Sequence, residues 1–296
     1  MKKTILIVAV LLTASSVLTA QEASNEAFGF SALDYGTASL SMAGASLTDT
    51  SSVSYAVFGN PAMLPLSKKK MDVSLSYMNL TPSTYKTNVF SVGASGRIKN
   101  FGIALGFAYS ACPAIDKFQE KDMIVGLGLA YKFLDFLSLG VNAKYATQKF
   151  STKSSYGAFI ADVQLGGKVK GFGYSLGVNG LGSKVKSGKN SYSLPTSLAL
   201  GLGYDAMIGK ENAIQAHVDA DYYFSKAFAA AIGLQYSFKD MLFVRGGYRL
   251  GGKSVVPSYG SIGLGFKING FHIDAAYLFG SSALKNTISA SLGYCF

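Results

Sequence analysis

Two histidines are this chain's whole supply of imidazole, and each alternates with carboxylates. His217, Asp219 and Asp221 take every second place of one stretch, and His272 and Asp274 of another. Such groups could ligate a metal. In an extended chain, however, positions i and i+2 stand about 7 Å apart, too far to close on one ion without ligands from other strands. Arg245 and Arg249 share the inward phase two strands away, and ion pairing is the better use of these carboxylates. No metal and no cofactor are expected. Catalysis is not expected either, because no nucleophile elbow accompanies the histidines. The Gly-Ser-Lys stretch from Lys184 to Lys189 lies in a long loop, not between a strand and a helix, so it is no phosphate loop.

The elements that must carry these residues are strands. Phe101, Ile103, Leu105, Phe107 and Tyr109 alternate with Gly102, Ala104, Gly106 and Ala108. Ile262, Leu264, Phe266 and Ile268 alternate with Ser261, Gly263, Gly265 and Lys267. A period of two means one bulky apolar face and one small or polar face. Fourteen such stretches are predicted: 71–80, 86–97, 100–111, 122–133, 135–149, 155–167, 170–179, 194–206, 211–223, 227–238, 241–250, 258–268, 270–279 and 286–296. Most approach the length that a tilted membrane strand needs, and the count is even, as in single-chain bacterial barrels.

Charged residues make up only 15% of the chain, yet beyond the first twenty residues no apolar run is long enough for a membrane helix. A soluble sandwich would place large apolar side chains inward and charge outward. Here the second face is Gly, Ala and Ser with scattered polar groups, a poor solvated exterior and a good crowded lumen. The predicted fold is therefore an all-β, antiparallel transmembrane β-barrel of about fourteen strands. Its connections are mostly tight after even-numbered strands and longer after odd-numbered ones, apart from 207–210 and 224–226. The first strand would then run outward and the last would end in the periplasm. Tyrosines near strand ends, among them Tyr77, Tyr131, Tyr248 and Tyr277, suit interfacial girdles.

Strand phase sends a set of polar residues to the lumen: Asn142, Lys144, Asp162, Gln164, His217, Asp219, Asp221, Arg245, Arg249, Lys267, His272 and Asp274. Mixed signs on one wall imply an Arg–Asp network that holds a plug and lines the lumen; a substrate or ion pathway is the sharper alternative. The net charge of +11 lies mostly in loop lysines with no basic helix. That composition does not read as nucleic-acid binding and fits contact with lipid headgroups. Cys112 and Cys295 fall at opposite ends of the barrel and are expected as free thiols.

Residues 1–20 read as a secretory signal peptide: Lys2 and Lys3, an apolar run from Ile5 to Leu12, then small residues to Ala20. Residues 21–70 are irregular and rich in small side chains, with a possible short helix over Ser39 to Ala45. They are read as an N-terminal plug in the lumen of the barrel, which spans 71–296. Pro61 fixes φ and lacks a donor, while Asn60 can satisfy nearby backbone groups. Irregular backbone at membrane depth is tolerable only inside protein or a water-filled cavity.

Met42-Ala43-Gly44-Ala45, then Asp49 and Ser51, then Gly59-Asn60-Pro61-Ala62, resemble the plug segment of FadL-type outer-membrane transporters and their PorV/PorQ relatives. The chain departs from that pattern at Ser41, where Gly is usual, and has Phe58-Gly59 where an aromatic residue precedes Asn-Pro-Ala. Its end, with Tyr294 and Phe296, resembles the C-terminal signature of outer-membrane barrels. The resemblance implies plug roles for Gly44, Asp49, Asn60, Pro61 and Ala62. It also implies the outer membrane of a Gram-negative bacterium, with the plug entering from the periplasmic side, and outer-membrane lipid and the barrel assembly machinery as partners. Two functions follow from it. One is a PorV/PorQ-like accessory barrel of type IX protein secretion, meeting secretion components; the basic, polar 180–193 loop favours it. The alternative is a FadL-like passive channel for a small hydrophobic molecule. A structural barrel without flux is the third reading.

Overall fold

The computed structural model describes residues 26–81, 86–113, 119–150, 155–187, 189–251, 256–280, 284 and 286–296. The expected signal peptide lies outside them. The first seven strands are β1 (Met71–Leu80), β2 (Thr87–Ile98), β3 (Phe101–Ala111), β4 (Lys121–Leu134), β5 (Leu137–Lys149), β6 (Ser155–Val169) and β7 (Phe172–Gly182). A small hairpin, β8 (Val185–Ser187) and β9 (Asn190–Tyr192), follows. The wall resumes with β10 (Ser197–Ile208), β11 (Asn212–Tyr223), β12 (Phe228–Phe238) and β13 (Leu242–Leu250), then β14 (Tyr259–Ile268), β15 (Phe271–Phe279) and β16 (Thr287–Cys295). All but β8 and β9 form one closed antiparallel barrel, in which β10 pairs with β7 and β16 with β1.

Closure rests on the register Leu75↔Leu292 and Tyr77↔Ala290. It leaves no unpaired edge, so every strand's backbone groups find partners within the wall. The alternation read from sequence decides which side faces where. Phe101, Ile103, Leu105 and Phe107 are exposed on the outer surface, while Ala104 and Ala108 are buried inside. The same holds around the ring, from Leu75 and Phe90 to Leu264, Ile273 and Leu292. A continuous apolar exterior of this kind exceeds anything a soluble surface carries and is matched by lipid. No helix among the described residues is long and apolar enough to cross a membrane.

The tight connections lie on one rim. Lys170–Gly171, Lys239–Asp240 and Asn269–Gly270 all take positive φ at both residues, the geometry whose twist matches a two-residue hairpin. The longer connections lie on the other rim. One of them, predicted as a bare 180–193 loop, contains the β8–β9 hairpin, and β7 runs on to Gly182. The cause is a β-bulge. Pairing steps from Ala161↔Leu181 to Val163↔Val178, which puts one extra residue in β7 opposite Asp162. Gly180 takes φ 71° there, and its N–H donates to Asp162 Oδ1 at 2.8 Å. The strand predicted to end at 179 continues through this kink.

The plug threads the lumen from rim to rim. Ala27 N–H donates to Ser193 O at the long-connection rim, and Lys70 N–H donates to Phe296 O at the tight-turn rim. Between them lies a one-turn helix, Thr37–Leu40, shorter than the predicted 39–45. Ala43 (φ 57°) and Gly44 (φ 79°) end it, with Gly44 N–H returning to Ser39 O. A 3-10 turn, Pro61–Leu66, packs against the inner faces of β3 to β6.

Candidate functional site

The polar wall is the product of phase and closure together. Phase turns Arg245 inward from β13 and Asp274 inward from β15. Closure then sets β14 between them, and Gly265 on β14 leaves the gap in which they meet. A Cβ at Gly265 would stand 2.7 Å from Arg245 Nη1. Arg245 Nη1 lies 2.6 Å from Asp274 Oδ1, and its Nε donates to Gln235 Oε1 at 2.5 Å. The chain continues through His272, which sits 3.2 Å from Asp274 Oδ2 and 3.1 Å from Asp72 Oδ1. Lys69 Nζ closes it on Asp72 Oδ2 at 2.8 Å. Asp72 and Lys69 were not singled out from sequence, although Asp72, Ser74 and Ser76 share the lumen phase of the first strand.

A second cluster surrounds Asp162. Lys144 Nζ lies 2.6 Å from Asp162 Oδ2, and Asn142 Nδ2 donates to the same oxygen at 3.1 Å. Gln164 Nε2 donates to Asn179 Oδ1 at 2.5 Å. This cluster pins the β7 kink as well as lining the lumen.

The third cluster holds the plug. Asp219 Oδ2 accepts from Ser46 N–H at 2.7 Å and Leu47 N–H at 2.9 Å. His217 Nδ1 meets Thr48 Oγ1 at 2.9 Å, and Arg249 Nη2 lies 3.1 Å from Asp221 Oδ2. The three alternating groups of β11 therefore go to three different partners and do not converge. The wall carries three clusters and not one Arg–Asp network, because the strand order decides which inward side chains are neighbours. Lys267 belongs to none of them. It sits at the tight-turn rim, where its long side chain reaches Asp240 Oδ2 at 2.6 Å instead of the lumen. A comparable rim pair, Lys168 with Asp205, went unnoticed in sequence; Lys168 Nζ also reaches Thr50 Oγ1 at 2.7 Å.

Within the plug, Asp49 Oδ1 accepts from Ser51 N–H and Oγ, each at 2.7 Å, and so shapes its own turn. Asn60 Oδ1 caps the 3-10 turn by accepting from Ala62 N–H at 2.9 Å. Its Nδ2 donates to Leu47 O at 2.7 Å and to Ser175 Oγ at 2.8 Å. Pro61 and Ala62 press on β5, where a Cβ at Gly140 would stand 2.8 Å from Pro61 Cγ. Tyr294 and Phe296 are in edge contact at 4.5 Å on the tight-turn rim. Asn60→Ala removes the cap and both donations, so it is expected to cost about 0.5–2 kcal/mol. The readout is faster proteolysis of the plug, with the barrel's heat-modifiable migration on gels unchanged.

Asp34 is the plug residue that sequence reading missed. Its Oδ1 accepts from Gly36 N–H at 3.0 Å, and its Oδ2 accepts from Ser39 Oγ. Ser39 Oγ also lies 2.7 Å from Ser46 Oγ, from which it can accept. Burial holds the Asp34 carboxyl above the ordinary carboxylate range. Beside it lies a cavity of about 130 Å³ between plug and wall. Its lining includes the polar side chains of Asp34, Asp219, Asp221, Arg249 and Tyr259 and the apolar ones of Leu33, Leu40, Phe58, Met78 and Leu278. A smaller cavity of about 60 Å³ lies within the plug, and Asp34, Ser46 and Gly59 border both.

Solved structures with this architecture include the toluene transporter TbuX of Ralstonia pickettii, at 12% identity and a TM-score of 0.63, over 90% of this chain and 99% of that one. The fold is that of outer-membrane hydrocarbon channels. The toluene transporter TodX of Pseudomonas putida matches at 13% identity and a TM-score of 0.64, over 88% and 98% of the two chains. A FadL homologue from Pseudomonas aeruginosa matches at 11% identity and a TM-score of 0.56, over 88% and 98%. Neither a protein-family model nor a curated protein matches the sequence. At these identities the likeness is one of fold. It reaches the FadL-type part of the resemblance drawn from the plug motif and does not reach the PorV/PorQ part.

Proposed function

We propose that this protein is an outer-membrane barrel of a Gram-negative bacterium that passes small, largely apolar solutes through a plugged lumen. The observation that carries this reading is the cavity between plug and wall. Its lining includes apolar side chains, it reaches Leu80, Val256 and Leu284 of the long-connection rim, and a wall of the same fold as that of toluene transporters surrounds it. A cavity of roughly 150 Å³ is enough to take up benzene, so one of this size suits a compact solute of about one ring. The plug would act as the gate, since the two cavities meet at Asp34, Ser46 and Gly59. Lipid and the assembly machinery for outer-membrane barrels are the partners that this reading requires.

The test is flux into liposomes carrying the folded protein. A single-ring aromatic such as toluene is expected to equilibrate faster than into protein-free liposomes. Equal rates would remove the channel reading. The earlier expectation of a PorV/PorQ-like accessory role in secretion is the second reading. It is favoured by a lumen filled from rim to rim and by the exposed Lys184, Lys186 and Lys189 around the β8–β9 hairpin. Secretion components recovered with the protein in gentle detergent, together with no flux, would favour it. Absence of both would leave a structural barrel.

A further inference from the structure

At the tight-turn rim, lysines find carboxylates within or beside the turns: Lys132 with Asp135, Lys239 with Glu211 and Lys267 with Asp240. The long-connection rim is built differently. Lys121 opens β4, Lys149 ends β5, and the two are direct register partners. Both carry the outward phase of their strands, shared with Val125 and Leu127 on β4 and with Val141 and Tyr145 on β5, and both are exposed. Neither is in an ion pair among the described residues. The carboxylates next in sequence are engaged elsewhere. The pleat turns Asp122 to the lumen, where it is buried 3.1 Å from Ser110 Oγ, and Glu120 Oε1 accepts from Gln148 Nε2 at 2.9 Å. Like charges set directly opposite each other destabilise a sheet. What would neutralise this pair is an anion from outside the chain.

The surroundings say what kind of anion. Along the same outward row, Ser155 on β6 stands beside Lys149, and Ala111 on β3, too short to screen the pair, stands beside Lys121. One row nearer the middle of the barrel wall is Gly157, and the Tyr145 ring leans across it: a Cβ at Gly157 would stand 2.7 Å from Tyr145 Oη. The ring is therefore directed toward the rim and its lysines. Two other outer tyrosines of this rim commit their hydroxyls to asparagines, Tyr77 to Asn88 and Tyr277 to Asn286, each at 2.9 Å. Tyr145 Oη has no such partner among the described residues. Tyr145 packs on Phe159 with ring centroids 4.8 Å apart, and Phe159 is 72% exposed. Positive charge and free donors thus stand at the edge of a bare aromatic and aliphatic belt.

We infer that the outer face of β3 to β6 at this rim binds a lipid whose headgroup carries an exposed phosphate. The phosphate sits between Lys121 and Lys149, with Tyr145 Oη and Ser155 Oγ as further donors, and the acyl chains descend over Phe159 and Val125. A phosphate monoester brings negative charge and several strong acceptor oxygens, so it can bridge two ammonium groups and accept from both hydroxyls. A free anion would serve the lysines and leave the apolar belt uncovered. A lipid without net charge would cover the belt and leave the lysines opposed. This site goes beyond the channel reading. It needs only that the apolar exterior lies in a bilayer, and nothing in it depends on the lumen.

The experiment is native mass spectrometry of the full-length protein, folded in a non-ionic detergent and titrated with dioleoyl phosphatidic acid or dioleoyl phosphatidylcholine. Phosphatidic acid is expected to bind roughly twentyfold more tightly than phosphatidylcholine, which is about fivefold for each lysine beside an anionic headgroup. Inorganic phosphate at the lipid's concentration is expected not to displace it. Lys121→Ala and Lys149→Ala are each expected to weaken phosphatidic acid about fivefold while leaving phosphatidylcholine unchanged. Lys184→Ala removes the same charge from the β8–β9 hairpin side of this rim and is expected to change neither. Both site variants relieve a like-charge contact, so the compact gel band of the folded barrel is expected to be kept, and the comparison of lipids on the unmodified protein needs no variant. Equal binding of the two lipids would overturn the inference. So would a loss in Lys184→Ala as large as in Lys121→Ala, or displacement by inorganic phosphate, which would mark a site for free anions. Toluene flux without lipid preference sinks this inference and spares the channel. Lipid preference without any flux does the reverse.

Discussion

Arg245→Ala is expected to lower unfolding stability by about 3–5 kcal/mol, the cost of stripping one partner from a buried ion pair. Arg245 is 6% exposed, and among the described residues it is the only cation bonded to Asp274 besides His272. Truncation leaves the Asp274 carboxylate facing Gly265 with an empty space where the guanidinium stood. Gln235 loses the Nε donor to its Oε1 as well, although its Nε2 keeps Gln215. Water entering the gap would recover only part of this, because the lumen there is filled by plug and wall. The measurement is the urea midpoint for loss of the compact gel band. A shift of less than a few tenths of a molar would mean that the cluster does not hold the wall together. Arg245→Lys separates charge from geometry: it restores a cation but cannot serve Asp274 and Gln235 at once, so an intermediate loss is expected.

Leu105→Arg tests the other face. Leu105 is 54% exposed near the centre of β3, between Ala94 on β2 and Leu127 on β4. In water the substitution would be harmless or helpful. In a bilayer, an arginine on the lipid face near the midplane costs about 2–4 kcal/mol. The protein refolded into phospholipid vesicles is therefore expected to lose that much relative to the unmodified chain. The same substitution at Ile98, 73% exposed beside the tight turn, is expected to cost about 0–1 kcal/mol, since the penalty falls toward the interface. Equal costs at the two depths would contradict the placement of the lipid belt.

What sequence alone determined follows from a single periodicity. Side chains alternate across a strand whatever surrounds it, so Leu105 was assigned outward, and Arg245 and Asp162 inward, before any fold was known. The fourteen strands, the tight turns at Asn269–Gly270 and Lys239–Asp240, and the turn at Asn60–Pro61 were legible for the same reason: each is a local preference of the backbone. Which inward groups meet was not local. Asp274 pairs with Arg245 because barrel closure sets β13 and β15 on either side of β14, where Gly265 leaves room. Asp219 was expected among arginines and instead receives plug N–H groups, because the plug crosses the lumen at that height. Asp34 and Asp72 carry no motif of their own; long-range packing alone buries Asp72 and half-buries Asp34. Lys267 has the inward phase yet reaches Asp240, because at a barrel's rim a long side chain answers to the turn next to it and not to the pleat. Phase is a property of one strand, and neighbourhood a property of the closed ring, which only the tertiary structure could decide.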